Sequence, residues 1–138
     1  MRVVIAGSRT IKDCEYLLLS IKKANIYIDE LISGGASGID TLAEQWAEEN
    51  NIKIKQFIPD WDTHSKAAGP IRNTEMAEYC HAAIIIWDGS SKGTFNMIDN
   101  IRRLKKPLYL MTVRTFNWWK EPKVKRTGGT KSIGSDLC

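Results

Sequence analysis

The sequence is poor in the residues that build metal centres and disulfide frameworks. Its three cysteines, Cys14, Cys80 and Cys138, are scattered and odd in number, which fits free thiols in a reducing compartment better than paired ones. Only two histidines occur, His64 and His81, and neither has a cysteine or histidine at metal-ligand spacing. No metal and no other cofactor is implied. Long apolar runs are missing too. The longest, Ala82 to Trp87, has strand length, far below the roughly 18 residues of a membrane span. The short Val3–Ala6 run behind Met1-Arg2 lacks the core of a secretory signal. A cytoplasmic protein without a membrane partner is expected.

Most of the chain also lacks excess charge. The net charge is +4, but Arg114, Lys120, Lys123, Lys125, Arg126 and Lys131 against Glu121 and Asp136 place the whole excess after Val113. Residues 1–113 hold fourteen basic and fourteen acidic side chains. A neutral body offers no electrostatic footprint for a polyanion, which argues against nucleic acid as its partner. At 138 residues the chain is long enough for one domain with a core and too short for two. Residues 1–113 are read as that domain, and 114–138 as a basic, flexible tail. Adjacent Trp118 and Trp119 are expected to pack against the body or a second subunit.

What the chain does have is alternation. β-branched-rich runs at Val3–Ala6, Glu30–Ser33, Ile52–Ile58, Ala83–Trp87 and Pro107–Met111 read as five strands, each ended by a glycine, a proline or a polar loop. Between them, Tyr16–Ile21, Leu42–Ala47, Ile71–Cys80 and Met97–Leu104 carry apolar residues at helical spacing. Such alternation predicts a parallel sheet with right-handed crossovers and helices on both faces. Doubly apolar runs such as Ala83–Ile86 suit strands buried on both sides. The expected fold is a single Rossmann-like, three-layer α/β domain with a five-stranded parallel sheet in the order 3-2-1-4-5. Its ligand crevice would lie between strands 1 and 4, where the winding reverses.

Four strand-to-helix loops then share one edge of the sheet: Gly7-Ser8-Arg9-Thr10, Gly34 to Asp40, Asp60-Trp61-Asp62, and Asp88 to Thr94. Glycines let the backbone approach a ligand, and the unpaired N–H groups that open a helix suit phosphate. The candidate ligand-binding residues are therefore Gly7, Ser8, Arg9, Gly34, Gly35, Ser37, Gly38, Asp40, Asn73, Gly89, Ser90, Ser91, Lys92, Gly93 and Thr94. Arg72, just after a Gly69-Pro70 helix start, can grip a phosphate through two parallel hydrogen bonds. Ordinary tight turns would explain any one loop, but two glycine loops plus Ser8-Arg9 on one edge favour a ligand. Neither loop is a standard signature. Gly89–Thr94 lacks the length and order of G-x-x-x-x-G-K-[ST], and Gly34–Gly38 is not G-x-G-x-x-G and follows the second strand. A P-loop ATPase and a standard dehydrogenase are both disfavoured.

Taken in order, Ala6–Arg9, Ser33–Asp40, Gly69–Met76 and Trp87–Thr94 resemble the motifs of the SLOG superfamily. That superfamily gathers the Smf/DprA proteins, the "lonely guy" phosphoribohydrolases and small stand-alone relatives of the YspA kind. The likeness covers residues 1 to about 112 and is greatest to the YspA-like branch. It implies a Rossmann-type fold and a nucleotide-like ligand, with some relatives cleaving the base from a nucleoside monophosphate and others sensing nucleotide signals. Relatives of this size often pair through helices, so a homo-oligomer is compatible with it. The phosphoribohydrolases use an Arg in R-K-x-x-M and a Glu three residues after the Thr of a G-x-G-T loop. Here Arg72 and Met76 keep the first pattern, but Met97 stands three residues after Thr94. Cleaving an N-glycosidic bond passes through an oxocarbenium-like species that calls for a nearby carboxylate. Asp88, Glu75 or Asp40 would have to supply it.

The leading expectation is thus a protein that senses, carries or sequesters a nucleotide or nucleotide-derived signalling ligand. The alternative is a nucleotide hydrolase or N-glycosidase with Arg72, Asp88 and Glu75 as catalytic residues. A second alternative is single-stranded DNA binding, as in the Smf/DprA relatives, through the basic tail and Trp118-Trp119.

Overall fold

The first strand has no polar side. Val3, Val4, Ile5 and Ala6 are all buried, so it must lie inside a sheet covered on both faces. The computed structural model, which describes residues 1–113, has this arrangement. Strands β1 (Arg2–Gly7), β2 (Glu30–Ser33), β3 (Lys53–Gln56), β4 (Ala82–Trp87) and β5 (Leu108–Thr112) pair in parallel in the order β3-β2-β1-β4-β5. This is the order expected from the sequence. The expectations for the tail, including Trp118 and Trp119, lie outside the described residues.

The helices are α1 (Cys14–Ala24), α2 (Ile39–Glu49), α3 (Trp61–His64), α4 (Ala68–Tyr79) and α5 (Lys92–Arg103). Strand pleating sorts the apolar side chains into two cores. Val3, Ile5, Leu31, Ile84 and Ile86 pack with Leu17 of α1 and Ile39, Ala43 and Ala47 of α2. Val4, Ala6, Ile32, Ala83 and Ile85 pack with Met76 and Ala77 of α4 and Met97, Ile98 and Ile101 of α5. Each large aliphatic side chain buried in this way contributes about 1.5–3 kcal/mol. The edge strand β3 exposes Lys53, Lys55 and Gln56, which discourages pairing with another chain.

Helix ends follow from local chemistry. The Asp13 carboxylate accepts from Glu15 N at 3.0 Å and starts α1, and the Ser91 hydroxyl accepts from Thr94 N at 3.4 Å and starts α5. At the other end of α4, the Lys106 ammonium donates to the carbonyls of Ala77, Glu78 and Cys80 at 2.7, 2.9 and 2.7 Å. It satisfies acceptors that the helix leaves open. Helix α3 departs from the sequence reading, which took Asp60-Trp61-Asp62 as loop. The Asp60 carboxylate accepts from Thr63 N at 3.2 Å, nucleating a single turn too short to show apolar periodicity. A 3-10 turn at Ser65–Ala67 then leads into α4, whose first turn holds Pro70. Among the described residues, no helix is long and apolar enough to cross a membrane.

Two glycines set how closely α2 approaches the sheet. A methyl group on Gly7 would sit 2.5 Å from the Ile86 carbonyl oxygen and 2.6 Å from Ile39 Cγ1. One on Gly38 would sit 2.8 Å from the carbonyl oxygens of Ser8 and Arg9, and Gly38 holds a φ of +79° that side chains disfavour. Backbone cannot give way as a side-chain tip can. Gly7→Ala and Gly38→Ala are each expected to lower unfolding free energy by about 1–3 kcal/mol, as overpacked cores do. Urea denaturation would measure it, and an unchanged midpoint in both variants would contradict this packing.

Candidate functional site

At the carboxyl ends of β1 and β4 the loops enclose a cleft of about 620 Å³, within the usual range for small-molecule sites. The β1–α1 loop supplies Arg9 and Thr10, and the entry to α2 supplies Ala36 and Asp40. Trp61, Lys66, Gly69, Pro70, Arg72 and Asn73 come from α3 through α4. Asp88 and Ser91 to Thr94 come from the β4–α5 region, and Ala6, Met76 and Met97 are apolar lining.

Of the residues singled out from sequence, Gly7, Arg9, Asp40, Arg72, Asn73, Asp88, Ser91, Lys92, Gly93 and Thr94 line this cleft. Ser8, Gly34, Gly35, Ser37, Gly38, Glu75, Gly89 and Ser90 are not among its lining residues. Ser8 lies buried beneath it, where its hydroxyl accepts from Asp88 N at 3.0 Å and ties the first loop to the fourth. Gly34 lies under the Arg72 guanidinium, and Gly38 against the first loop. Glu75 is on the exposed side of α4. Thr10, Ala36, Trp61, Lys66, Gly69, Pro70 and Asn96 also line the cleft, and sequence reasoning did not select them. Thr10, Ala36 and Trp61 do stand in loops that it assigned to this edge, and Gly69 and Pro70 in the Gly69–Met76 motif.

Arg72 is the hub. Its Nη1 donates to the Gly34 carbonyl at 2.7 Å and its Nε to Asn73 Oδ1 at 3.0 Å. A guanidinium has five N–H donors, so three are without a protein acceptor among the described residues. Asn73 is saturated by contrast, its amide nitrogen donating to the Gly93 carbonyl at 3.2 Å and to Asn96 Oδ1 at 3.0 Å. It positions Arg72 and the fourth loop and has no donor left over for a ligand.

The two carboxylates in the cleft have opposite characters. Asp40 is 5% exposed. Burial pushes its pKa up to about 6, against the lowering effects of the Ala36 N–H and of Arg72. Burial likewise pulls the Arg72 guanidinium down, while Asp40 acts in the other direction. Asp88 is held down at about 2, chiefly by the Ser90 N–H. Its Oδ1 accepts from Ser90 N and Ser91 N at 2.9 and 2.8 Å, and its Oδ2 from Thr10 Oγ1 at 2.9 Å. Asp88 is a turn-forming anion, and Asp40 is the group that can change protonation near neutral pH.

The helix starts differ in the same sense. α2 carries Asp40 in its first turn, and that carboxylate accepts from Ala36 N at 3.2 Å. α5 opens instead on Lys92 and Gly93, with no acidic residue in its first turn. A methyl group on Gly93 would meet nothing within 4 Å. α2 holds a carboxylate inside its first turn, whereas the carboxylate next to α5, Asp88, is engaged by Ser90 N and Ser91 N ahead of the helix, so that the first turn of α5 carries none of its own and lines the cleft. Arg9, Lys66 and Lys92, all exposed, take part in none of the ion pairs among the described residues.

Residues 1–64 match the model of the family described as YspA, cpYpsA-related SLOG. The chain is 35% identical over 119 residues to the Gene 61 protein of Mycobacterium phage D29, covering 78% of this chain and 93% of that protein. Its fold is similar to that of DNA processing protein A from Streptococcus pneumoniae, with a TM-score of 0.63 and 18% identity over 99% of this chain. The chain spans 54% of that protein's length.

Asp40 generates a pH prediction. Its folded pKa of about 6 lies above the unperturbed 3.8, so between about pH 4 and 6 the folded chain keeps a proton that the unfolded chain has released. Stability therefore falls as pH rises through that window, and the cost of about 3 kcal/mol is fully present above it. Asp40→Asn is expected to be more stable than the wild type at pH 8 and to lose that advantage towards pH 4. Denaturation midpoints at pH 4, 6 and 8 measure this, and equal midpoints at pH 8 would contradict it.

Proposed function

The chain belongs to the YspA-related SLOG family, and we propose that it binds a nucleotide or nucleotide-derived signalling ligand in the cleft between the carboxyl ends of β1 and β4. One observation carries this reading. A body neutral overall in its sequence concentrates Arg9, Lys66, Arg72 and Lys92 around a cavity that also holds Asp40 and Asp88. None of those four cations takes part in an ion pair among the described residues, and Arg72 has three donors to spare. In a partly desolvated cleft such an excess favours an anion. A phosphate at the start of α5 would receive the N–H groups of Lys92 and Gly93, with Arg72 donating in its planar fork. In this account the protein senses, carries or sequesters its ligand.

A second reading, hydrolysis of the bond between base and sugar, is favoured by Asp40 alone. Its pKa of about 6 suits a group that holds a proton and gives it up. The glycosidic C–N bond breaks, the base leaves with the electron pair and takes the Asp40 proton, and water adds its oxygen to the sugar carbon while giving one proton back to the Asp40 carboxylate. Arg72 would hold the phosphate. Asp88 would contribute only its negative charge, and Glu75 stands outside the cleft. Free base in chromatograms of AMP incubated with the wild type but not with Asp40→Asn would establish it. Intact AMP in both would leave binding as the function.

Calorimetry against nucleoside mono-, di- and cyclic phosphates and ADP-ribose derivatives tests the main reading, and an absence of heat at millimolar ligand would refute it. Gly93 provides a sharper control, because a side chain there enters open space. Gly93→Ala and Gly93→Leu are expected to fold with unchanged or improved stability, by up to about 1 kcal/mol, since glycine is a poor helix residue. The Leu variant is expected to lose at least about tenfold in nucleotide affinity, a change of about 1.4 kcal/mol. Wild-type affinity in Gly93→Leu would move the ligand elsewhere.

A further inference from the structure

The cleft contains an aromatic plane that the anion-binding groups do not explain. Trp61 opens α3, lines the cleft and is 53% exposed. Its turn is held by the Asp60 carboxylate at Thr63 N. The edge of the indole, at Cη2, lies 3.8 Å from where a methyl group on Gly69 would stand, so the ring rests near the start of α4 where the backbone is bare. Most buried aromatics contribute through packing. An indole half open to solvent and lining a concave site has a face to offer a ligand.

The surroundings specify what that face can take. Met76 and Met97 form buried apolar lining of the same cavity, and Arg9, Arg72 and Lys92 supply the cationic side. Asn96 accepts at Oδ1 from Asn73 and Asn100 at 3.0 and 3.4 Å, which leaves its own amide hydrogens without an acceptor among the described residues. A flat apolar group bearing acceptors at its edge, joined to an anion, matches these features together. Inorganic phosphate or a sugar phosphate would leave the indole exposed. We propose that Trp61 is the base-stacking platform of the cleft, so that the ligand is recognised as a base-bearing anion. This rests on the reading of the cleft as a nucleotide site.

Stacking on an aromatic side chain changes affinity by about fivefold to 150-fold per base, with purines gaining most from the larger ring overlap. Calorimetry of the full chain with AMP, CMP and ribose 5-phosphate, on the wild type, Trp61→Ala and Trp61→Phe, separates the contributions. The wild type is expected to bind AMP most tightly, then CMP, then ribose 5-phosphate. Trp61→Ala should weaken AMP by about tenfold or more while leaving ribose 5-phosphate unchanged, and Trp61→Phe should restore most of the loss. An unchanged AMP affinity in Trp61→Ala, or an equal weakening of AMP and ribose 5-phosphate, would overturn the proposal. If the wild type binds ribose 5-phosphate as well as AMP, the platform fails and the anion site stands. If it binds none of the three probes, both fall.

Discussion

The cleft hangs on the Arg72 guanidinium, which reaches from α4 to the Gly34 carbonyl at 2.7 Å and, through Asn73, to the Gly93 carbonyl. Two side chains thereby join the loop after β2, the first half of α4 and the first turn of α5. Lysine could not do this, because the bonds run from two different nitrogens of a planar fork. The absence of a side chain at Gly34 lets the fork approach. Everything proposed for the site depends on this span holding the walls at a fixed separation.

Such a span takes charge out of water. Arg72 and Asp40 are both shifted by burial towards their neutral forms, and a domain selected only for stability would fill the region with apolar side chains. The retained charges are more easily understood as machinery than as scaffolding, since functional sites are where proteins tolerate local costs to stability. Asp40 adds a coupling. An anion bound near it would favour its protonated form, so ligand binding and proton uptake are linked in this arrangement.

The architecture was legible because it rests on patterns the sequence carries openly. Strands without a polar face, such as Val3–Ala6 and Ala83–Ile86, announce burial on both sides, and alternation with helices implies parallel pairing. The order 3-2-1-4-5 was the expected member of the doubly wound orders that such alternation allows, and it is the one found. The site was legible only at the level of loops. Gly7, Gly38 and Gly93 look alike in sequence, yet the first two accommodate protein atoms and the third faces open space. That distinction depends on which atoms the folded chain brings opposite each residue. The Ser33–Asp40 loop looked like a phosphate cradle. In the fold it contributes Ala36 and Asp40 to the lining, while the open helix start belongs to α5. Trp61, Lys66 and Asn96 were missed because their roles come from position around a cavity, which no local motif records.

The central claim is that an anionic nucleotide sits between the start of α5 and the Arg72 hub. Its most direct test is a titration of the isotopically labelled protein with AMP, followed by backbone and arginine side-chain N–H chemical shifts. The account predicts saturable changes concentrated at Arg9, Lys92, Gly93 and the Nε of Arg72, with α1 and β5 unmoved. Saturable changes confined to α1 or β5, or none at millimolar AMP, would contradict it.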